Sequence, residues 1–368
     1  MNEILSQISR SGTSIWLDDL SRERMVSGGK SRFLPDLISQ EFVVGVTTNP
    51  AIFSAAITQS SLYSSDISRL ASKGKTSEEI ITELTTSDVA QACDYFAETY
   101  ERTNGVDGRV SIEVDPRYAR DTKSTIEQAR SLWASIGKPN LLIKVPATAE
   151  GLPAIRTLIS EGISVNVTII FSVKRYEEVV DAFLGGLEDR IAKNSSITGI
   201  HSVASFFVSR VDTEIDARLR SAGHSTELQG RAALANARLA YQHFLSVKNS
   251  ARWKNLESKG GSLQRPLWAS TGVKDPAYPS DLYVTELVAP DTVNTMPEST
   301  LIAVRESGNF MGESITQHFD SSRAFLSSLM DMGIDIEEVA DKLENEGIDK
   351  FIKPWLQLID AVELLRKK

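Results

Sequence analysis

Short apolar and β-branched runs recur along the chain and alternate with segments of helical periodicity. Eight such runs can be distinguished: SIWLD (14–18), FVVGVTT (42–48), RVSIEV (109–114), LLIKV (141–145), ISVNVTI (163–169), IHSVAS (200–205), PLWAS (266–270) and DLYVTELV (281–288). Many lack polar/apolar alternation, as expected for parallel strands that are covered by helices outside and packed inside a barrel. Repeated βα units of this number predict an α/β fold, namely a (β/α)8 TIM barrel.

Helical segments follow the third, fourth and fifth predicted strands. They are TKSTIEQARSLWASIG, PAIRTLISEG and VKRYEEVVDAFLGGLEDRIA, and each places apolar residues near i, i+3 and i+4. Gly137 and Gly162 stand where two of these helices should end, because glycine readily adopts the left-handed conformation that terminates a helix.

The chain has 368 residues, more than the ~250 of a plain barrel. We expect one elaborated barrel domain over 1–368, since barrels of this class routinely run long as a single domain. The surplus is assigned to helical insertions at about 53–104 and 226–256 and to a helical C-terminal extension at about 298–368.

The net charge and the cysteine content limit which classes of partner and which cellular compartment are expected. The formal net charge is −9 and no long Lys/Arg run occurs, so we expect neither a nucleic-acid nor a membrane partner. Cys93 is the only cysteine, which excludes an internal disulfide, fits a reducing compartment and predicts a buried position on a helix. Neither a secretory signal nor a run of ~18 apolar residues is found, so a cytoplasmic location is expected.

Polar residues occupy the carboxyl ends of the predicted strands, where barrel enzymes carry their sites. They are Asp18 on the first, Asn49 after the second, Glu113 and Asp115 on the third, Lys144 on the fourth, Asn166 and Thr168 on the fifth, and Ser205 on the sixth. One polar residue at a strand end is usually structural. A set that converges on one barrel mouth predicts a functional site.

Lys144 lies within the apolar strand NLLIKVPAT. Burying its ammonium is costly, whereas the neutral amine can attack a carbonyl and form a Schiff base. On its own, Lys144 is equally consistent with a snorkelling or ion-paired structural lysine. Its expected proximity to Glu113 and Asp18 favours the catalytic interpretation.

Five motifs together resemble the transaldolase family: VTTNPAIF, SIEVDP, LLIKVPAT, SVNVTIIFS and TVNTMPEST. They occur in the family's order and extend to about residue 300. The chain length and the segment RPLWASTGVK are most similar to the longer bacterial form. The resemblance implies a metal-free and cofactor-free Schiff-base mechanism that uses a strand lysine.

The resemblance also implies catalytic roles. Lys144 would attack the ketone of a ketose phosphate, and Asp18 would take the proton from the C4 hydroxyl so that the C3–C4 bond breaks. Glu113 would shuttle protons through a bound water that Thr168 helps to hold. The structural alternative for Glu113 is a salt bridge to Lys144, and both descriptions are compatible in the resting enzyme.

Substrate-binding roles are implied for six further residues. Asn49 and Asn166 correspond to asparagines that hydrogen-bond substrate hydroxyls, although Asn49 could instead set a turn and Asn166 could be a buried strand amide. Arg210 matches the phosphate arginine and Ser205 a serine that lines the pocket, with a surface ion pair as the alternative for Arg210. Ser270 and Lys274 are further candidates, and Lys274 departs from the arginine that some members carry.

The resemblance thus implies transfer of a dihydroxyacetone unit from sedoheptulose 7-phosphate to glyceraldehyde 3-phosphate. We expect a monomer or a homodimer. A fructose 6-phosphate aldolase of the same superfamily and a non-catalytic sugar-phosphate-binding barrel remain as alternatives. No metal site is expected, because the four histidines lack ligand spacing: His201, His224, His243 and His318. No Gly-rich phosphate or dinucleotide loop occurs either.

Overall fold

The computed structural model describes residues 3–307, 310–313 and 315–367. Positions 1, 2, 308, 309, 314 and 368 of the predicted domain and extension lie outside the described residues. Eight parallel strands close into a barrel in sequential order, which confirms the predicted (β/α)8 fold. The strands are β1 Thr13–Leu17, β2 Val43–Val46, β3 Arg109–Glu113, β4 Leu141–Pro146, β5 Val165–Ile170, β6 Ser202–Phe207, β7 Arg265–Ala269 and β8 Thr292–Met296.

Seventeen α-helices are assigned within the described residues. They are α1 Glu3–Arg10, α2 Arg22–Met25, α3 Leu34–Gln40, α4 Pro50–Gln59, α5 Ser64–Ser72, α6 Ser77–Tyr95, α7 Ala97–Arg102, α8 Thr122–Ile136, α9 Gly151–Glu161, α10 Val173–Ala192, α11 Ser209–Ser221, α12 Ala232–Lys248, α13 Ala251–Glu257, α14 Leu282–Thr285, α15 Glu298–Ser307, α16 Phe319–Asp331 and α17 Ile336–Arg366.

The three helices predicted after the third, fourth and fifth strands are α8, α9 and α10, and their predictions are confirmed. Gly137 and Gly162 end α8 and α9 with φ values of 59° and 90°, a left-handed conformation that favours glycine. Cys93 lies buried on α6, as predicted. Burial raises the pKa of its thiol to about 12, so it stays protonated and inert at neutral pH.

The predicted eighth strand was wrong. DLYVTELV contains the short helix α14, and β8 is the later and more polar segment TVNTM. A short apolar run does not distinguish strand from helix. The buried polar residues of β8 make tertiary hydrogen bonds: Thr292 Oγ1 donates to the Ala289 carbonyl at 2.7 Å and Asn294 Nδ2 to the Tyr283 carbonyl at 3.0 Å, whereas Asn294 Oδ1 has no hydrogen-bond partner among the described residues.

The strand register sets the geometry of the barrel interior. Glu113 pairs with Lys144 across β3 and β4, and Lys144 pairs with Asn166 across β4 and β5. Since side chains at the same level of adjacent parallel strands point to the same face, these three polar groups meet inside the barrel.

The last helix, α17, crosses the carboxyl end of the barrel. It packs against α4, α6 and α11 and also contacts β5. Its buried apolar residues recur at helical spacing: Val339, Leu343, Phe351, Leu358 and Val362. The chain therefore returns to the barrel mouth after the eight βα units are complete.

Candidate active site

A cavity of about 180 Å³ lies at the carboxyl end of the barrel, beneath α17. Seven of the ten predicted site residues line it: Asp18, Asn49, Lys144, Ser205, Arg210, Ser270 and Lys274. The remaining three are Glu113, which contacts Lys144, and the fully buried Asn166 and Thr168. The strand ends of one barrel therefore bring these side chains to one place.

Lys144 is buried at the floor of the cavity, with 5% of its side chain exposed. Its Nζ donates to the Thr48 carbonyl at 3.2 Å and lies 3.3 Å from Glu113 Oε2. Burial raises the pKa of Glu113, and the nearby Lys144 opposes that rise. The salt bridge considered as an alternative for Glu113 is therefore present in the resting structure.

The side chains of Glu113 and Thr168 carry buried oxygen atoms that lack hydrogen-bond partners among the described residues. Both Glu113 carboxylate oxygens and Thr168 Oγ1 are buried and make no hydrogen bond to another described residue. Glu113 Oε2 approaches Lys144 as an ion pair, but not with hydrogen-bond geometry. Since buried polar atoms nearly always have a partner, these atoms are suited to hold a water or a ligand.

Asp18 and its neighbour Asp19 differ sharply. Asp18 lines the cavity and accepts a hydrogen bond from Thr47 Oγ1 at 2.7 Å, and burial raises its pKa against the opposing effect of Lys144. Asp19 instead accepts two hydrogen bonds from Arg24, at 2.7 Å from Nε and 2.5 Å from Nη2. Asp18 is thus the carboxylate that is free to meet a ligand in the cavity.

The two asparagines use part of their hydrogen-bonding capacity within the protein. Asn166 donates to Ser111 Oγ at 3.0 Å and accepts from Ser205 Oγ at 2.7 Å, so its observed contacts are those of a buried strand amide. Asn49 Oδ1 accepts from the Ile52 amide at 3.0 Å and caps α4. This cap leaves the Asn49 amide NH₂ as the group available to the cavity.

Two cations that line the cavity, Arg210 and Lys274, have no ion-pair partners among the described residues. Within the described part of the chain, neither Arg210 nor Lys274 has a carboxylate within the 4.0 Å ion-pair distance. The Arg210 guanidinium lies 5.2 Å from the Phe207 ring centroid, and its Nη1 is buried without a hydrogen bond. Desolvation lowers the pKa of Arg210, although Asp18 and Glu346 oppose the shift. The part of the cavity that Arg210 and Lys274 line is suited to an anionic group.

The segment that carries Lys274 is fastened to α11 by two tyrosines. Tyr278 donates to Asp216 Oδ2 at 2.7 Å, and Tyr283 donates to Asp212 Oδ2 at 2.8 Å. Ser270, at the start of this segment, has a φ of 55° and lies 2.9 Å from Ser209 through their hydroxyl oxygens. These contacts place Lys274 on the same side of the cavity as Arg210.

Sequence reasoning missed seven residues that line the cavity: Thr47, Phe207, Ala269, Gly272, Thr295, Pro297 and Phe351. Thr47 and Thr295 lie inside the motifs VTTNPAIF and TVNTMPEST, and Phe207 lies between the candidates Ser205 and Arg210, so these positions were the available signal. The strand that carries Thr295 was not recognised, because the eighth strand was placed at 281–288. Phe351 belongs to α17, and no strand-end pattern points to it.

No group of three or more potential metal-ligating side chains was found in residues 3–307, 310–313 and 315–367. Over the same residues, no helix combines the length and apolarity needed to cross a bilayer.

A parallel eight-stranded barrel with a buried lysine beside carboxylates defines the class of (β/α)8 proteins with a lysine-centred site at the barrel mouth. A family model described as Transaldolase/Fructose-6-phosphate aldolase matches residues 15–362. The chain is 51% identical over 364 residues to a transaldolase of Thermobifida fusca, covering 98% of both chains. It is 54% identical to a transaldolase of Renibacterium salmoninarum, covering 97% of this chain and 95% of that one. The chain therefore belongs to the transaldolase/fructose-6-phosphate aldolase family.

Proposed function

We propose that this chain is a transaldolase of the pentose phosphate pathway. It transfers a dihydroxyacetone unit from sedoheptulose 7-phosphate to glyceraldehyde 3-phosphate, giving erythrose 4-phosphate and fructose 6-phosphate, through a Schiff base on Lys144. The observation that carries the proposal is the Lys144 amine, buried 3.3 Å from Glu113 in a cavity that also contains Asp18 and Arg210. Membership of the family and the names of the relatives support it.

The proposed reaction begins with attack of the Lys144 amine on the donor ketone. The carbinolamine loses water to give an iminium, which withdraws electrons from the adjacent carbon. Asp18 takes the proton of the C4 hydroxyl, the C3–C4 bond breaks, and an aldose phosphate leaves. The dihydroxyacetone enamine stays attached to Lys144 until a second aldose phosphate accepts it by the reverse steps.

Glu113 and Thr168 are proposed to move protons during the carbinolamine and imine steps. Their buried oxygen atoms make no hydrogen bond to a described residue, which supports a shared water between them. The ion pair with Lys144 also places the carboxylate beside the nitrogen that gains and loses protons. In this scheme the structural and catalytic descriptions of Glu113 apply to successive stages of one cycle.

The remaining candidates are proposed to bind substrate. Arg210 and Lys274 hold the phosphate, and their lack of ion-pair partners supports this assignment. Asn49 and Ser270 line the cavity where sugar hydroxyls would lie. Ser205 Oγ donates a hydrogen bond to Asn166 Oδ1, which leaves the Ser205 oxygen free to accept one and gives Asn166 an orienting contact.

A coupled assay with and without an aldose acceptor tests the activity. With fructose 6-phosphate as donor, we expect turnover to depend on added erythrose 4-phosphate and to produce sedoheptulose 7-phosphate. Equal turnover without an acceptor, with stoichiometric release of free dihydroxyacetone, would identify the fructose 6-phosphate aldolase alternative. The absence of turnover and of any covalent adduct would leave the non-catalytic sugar-phosphate-binding barrel.

We further propose that the chain works as one elaborated barrel domain, in the cytoplasm, as a monomer or homodimer. The buried Cys93 thiol is compatible with a reducing compartment. The net charge of −9 favours small sugar phosphates, held by local cations, over nucleic acid or anionic membranes as partners.

A further inference from the structure

We infer that α17 completes the catalytic centre, and that Phe351 on this helix controls whether the dihydroxyacetone unit is passed to an aldose or lost to water. The inference rests on the proposed function, because it assigns a specificity-determining residue to that same site. It adds a residue that none of the strand-end motifs contains.

Phe351 on α17 lies beside the reacting amine. Its ring centroid lies 5.5 Å from Lys144 Nζ, within the range in which an aromatic face attracts a cation. Phe351 is 5% exposed and lines the same cavity as Asp18 and Arg210. The ring therefore covers one side of the nitrogen that carries the covalent intermediate.

Trp355, one helical turn further on, extends the same face of α17 over the neighbouring carboxylate. It lines a second cavity of about 30 Å³ together with Glu113, Asn49 and Phe53. Its indole Nε1 is buried and makes no hydrogen bond to a described residue. Residues four apart lie on one face of a helix, so α17 presents two aromatic side chains across the Lys144–Glu113 pair.

Ion pairs and hydrogen bonds fasten α17 on both sides of Phe351. Near its start, Lys342 pairs with Glu214 of α11 at 2.7 Å. Near its end, Ser77 at the start of α6 donates to Glu363 Oε2 at 2.6 Å, and Arg366 donates to the Lys75 carbonyl at 2.8 Å. Phe351 is therefore held over the cavity by a helix that is tied to the barrel at two distant points.

The ring of Phe351 lies where hydrolysis of the Lys144-bound dihydroxyacetone unit would take place. Loss of the unit requires three steps: the enamine takes a proton at carbon to become an iminium, water adds to the iminium carbon, and the C–N bond of the resulting carbinolamine breaks. The products are free dihydroxyacetone, the Lys144 amine and the proton. An aromatic ring beside the nitrogen excludes water from that region, and its attraction to the cationic iminium is lost when water adds to the iminium carbon. Both effects oppose the addition of water, so the dihydroxyacetone unit stays attached to Lys144 for longer.

Replacing Phe351 with alanine tests the inference against a neighbour on the same helix. Ile352→Ala is the matched control, because Ile352 is partly buried but does not line the Lys144 cavity. The measured quantity is the rate of free dihydroxyacetone release from fructose 6-phosphate without acceptor, divided by the rate of transfer to erythrose 4-phosphate. We expect Phe351→Ala to raise this ratio about tenfold, equivalent to ~1.4 kcal/mol, and Ile352→Ala to leave it within about twofold.

Phe351→Leu keeps an apolar side chain of similar size. It tests the role of the Phe351 ring if the alanine variant does not fold. Because leucine lacks the ring, we expect a rise of about threefold in the ratio. A wild-type ratio in Phe351→Leu and in any folded Phe351→Ala, or an equal rise in Ile352→Ala, would overturn the inference. Borohydride trapping of wild-type enzyme distinguishes failure of the Phe351 inference from failure of the proposed function. Absence of a Lys144 adduct would contradict the proposed function itself.

Discussion

The polar groups around Asp107, at the amino end of the barrel, and those of the cavity, at the carboxyl end, differ in how many of their hydrogen-bond partners the protein supplies. At the amino end, Asp107 accepts hydrogen bonds from Ser14 Oγ at 2.8 Å, Trp16 Nε1 at 3.3 Å and Arg265 Nη2 at 2.9 Å. A second Arg265 nitrogen donates to Ser14 Oγ at 2.9 Å. These groups use one another as partners and tie β1, β7 and the segment before β3 together.

At the carboxyl end, the charged groups are close but incompletely partnered. Glu113 has two buried oxygens and Arg210 one buried nitrogen without hydrogen bonds to described residues, and Lys274 has no ion pair among them. A satisfied network stabilises the fold, whereas unsatisfied groups at a cavity retain capacity for a ligand. The cavity groups therefore differ from the network around Asp107, although Arg109 Nη2 and Gln264 Oε1 near the amino end are also buried without hydrogen bonds to described residues.

Lys144→Ala should give the largest effect, because the proposed reaction passes through a covalent bond to its amine. We expect turnover and borohydride trapping to be abolished while circular dichroism shows the barrel intact. Lys138→Ala is the matched control, since Lys138 pairs with Asp94 on the surface. Turnover within tenfold of wild type would remove Lys144 from its role.

Asp18→Asn should reduce carbon–carbon cleavage by about 10²- to 10⁴-fold, the usual range for loss of a general base. The amide keeps the shape of the side chain but cannot accept the hydroxyl proton. Trapping with dihydroxyacetone, which needs no cleavage, should persist. Asp19→Asn is the control because Arg24 already binds that carboxylate, and a larger loss in Asp19→Asn would reverse the assignment.

Arg210→Ala should lower kcat/KM for phosphorylated substrates by about ten- to hundredfold, corresponding to a charge-assisted contact of ~1.5–3 kcal/mol. Lys274→Ala should have a smaller effect, because a planar guanidinium holds two phosphate oxygens at fixed geometry. The measurement is the ratio of kcat/KM for fructose 6-phosphate to that for fructose. An unchanged ratio in Arg210→Ala would place the phosphate elsewhere.

Asp107→Asn should have the smallest effect on catalysis, because it breaks the satisfied network at the opposite end of the barrel. We expect the free energy of unfolding in urea to fall by about 1–3 kcal/mol, since buried donors lose their charged acceptor. The kcat/KM per folded enzyme should stay within about twofold of wild type. A tenfold loss of kcat/KM would show that the two ends are coupled.

The sequence predicted the barrel and half of the residues that line the cavity, because both follow from local pattern. Parallel strands bury continuous apolar runs, and their carboxyl ends meet at one rim, so polar residues such as Asp18 and Lys144 could be grouped before their distances were known. The eighth strand was misplaced because Thr292 and Asn294 are polar, and only tertiary hydrogen bonds make them compatible with burial.

The position of Phe351 beside Lys144 and the hydrogen-bond partners of Asn166 could be seen only in the structure. Phe351 reaches Lys144 from a helix that follows the completed barrel, and helical periodicity indicates a buried face without saying which surface it covers. Asn166 was predicted either to bind a substrate hydroxyl or to be a buried strand amide, and the sequence did not indicate that side chains from β3 and β6 hydrogen-bond to it. Such long-range pairings depend on the register of neighbouring strands.

The most direct test of the account is to locate the covalent intermediate. Wild-type enzyme is incubated with fructose 6-phosphate, reduced with borohydride, digested and analysed by mass spectrometry. We expect one dihydroxyacetone-derived adduct, on the peptide containing Lys144, because this lysine combines burial, cavity access and a carboxylate at 3.3 Å. An adduct on a different lysine, or efficient turnover with no adduct, would contradict the central claim.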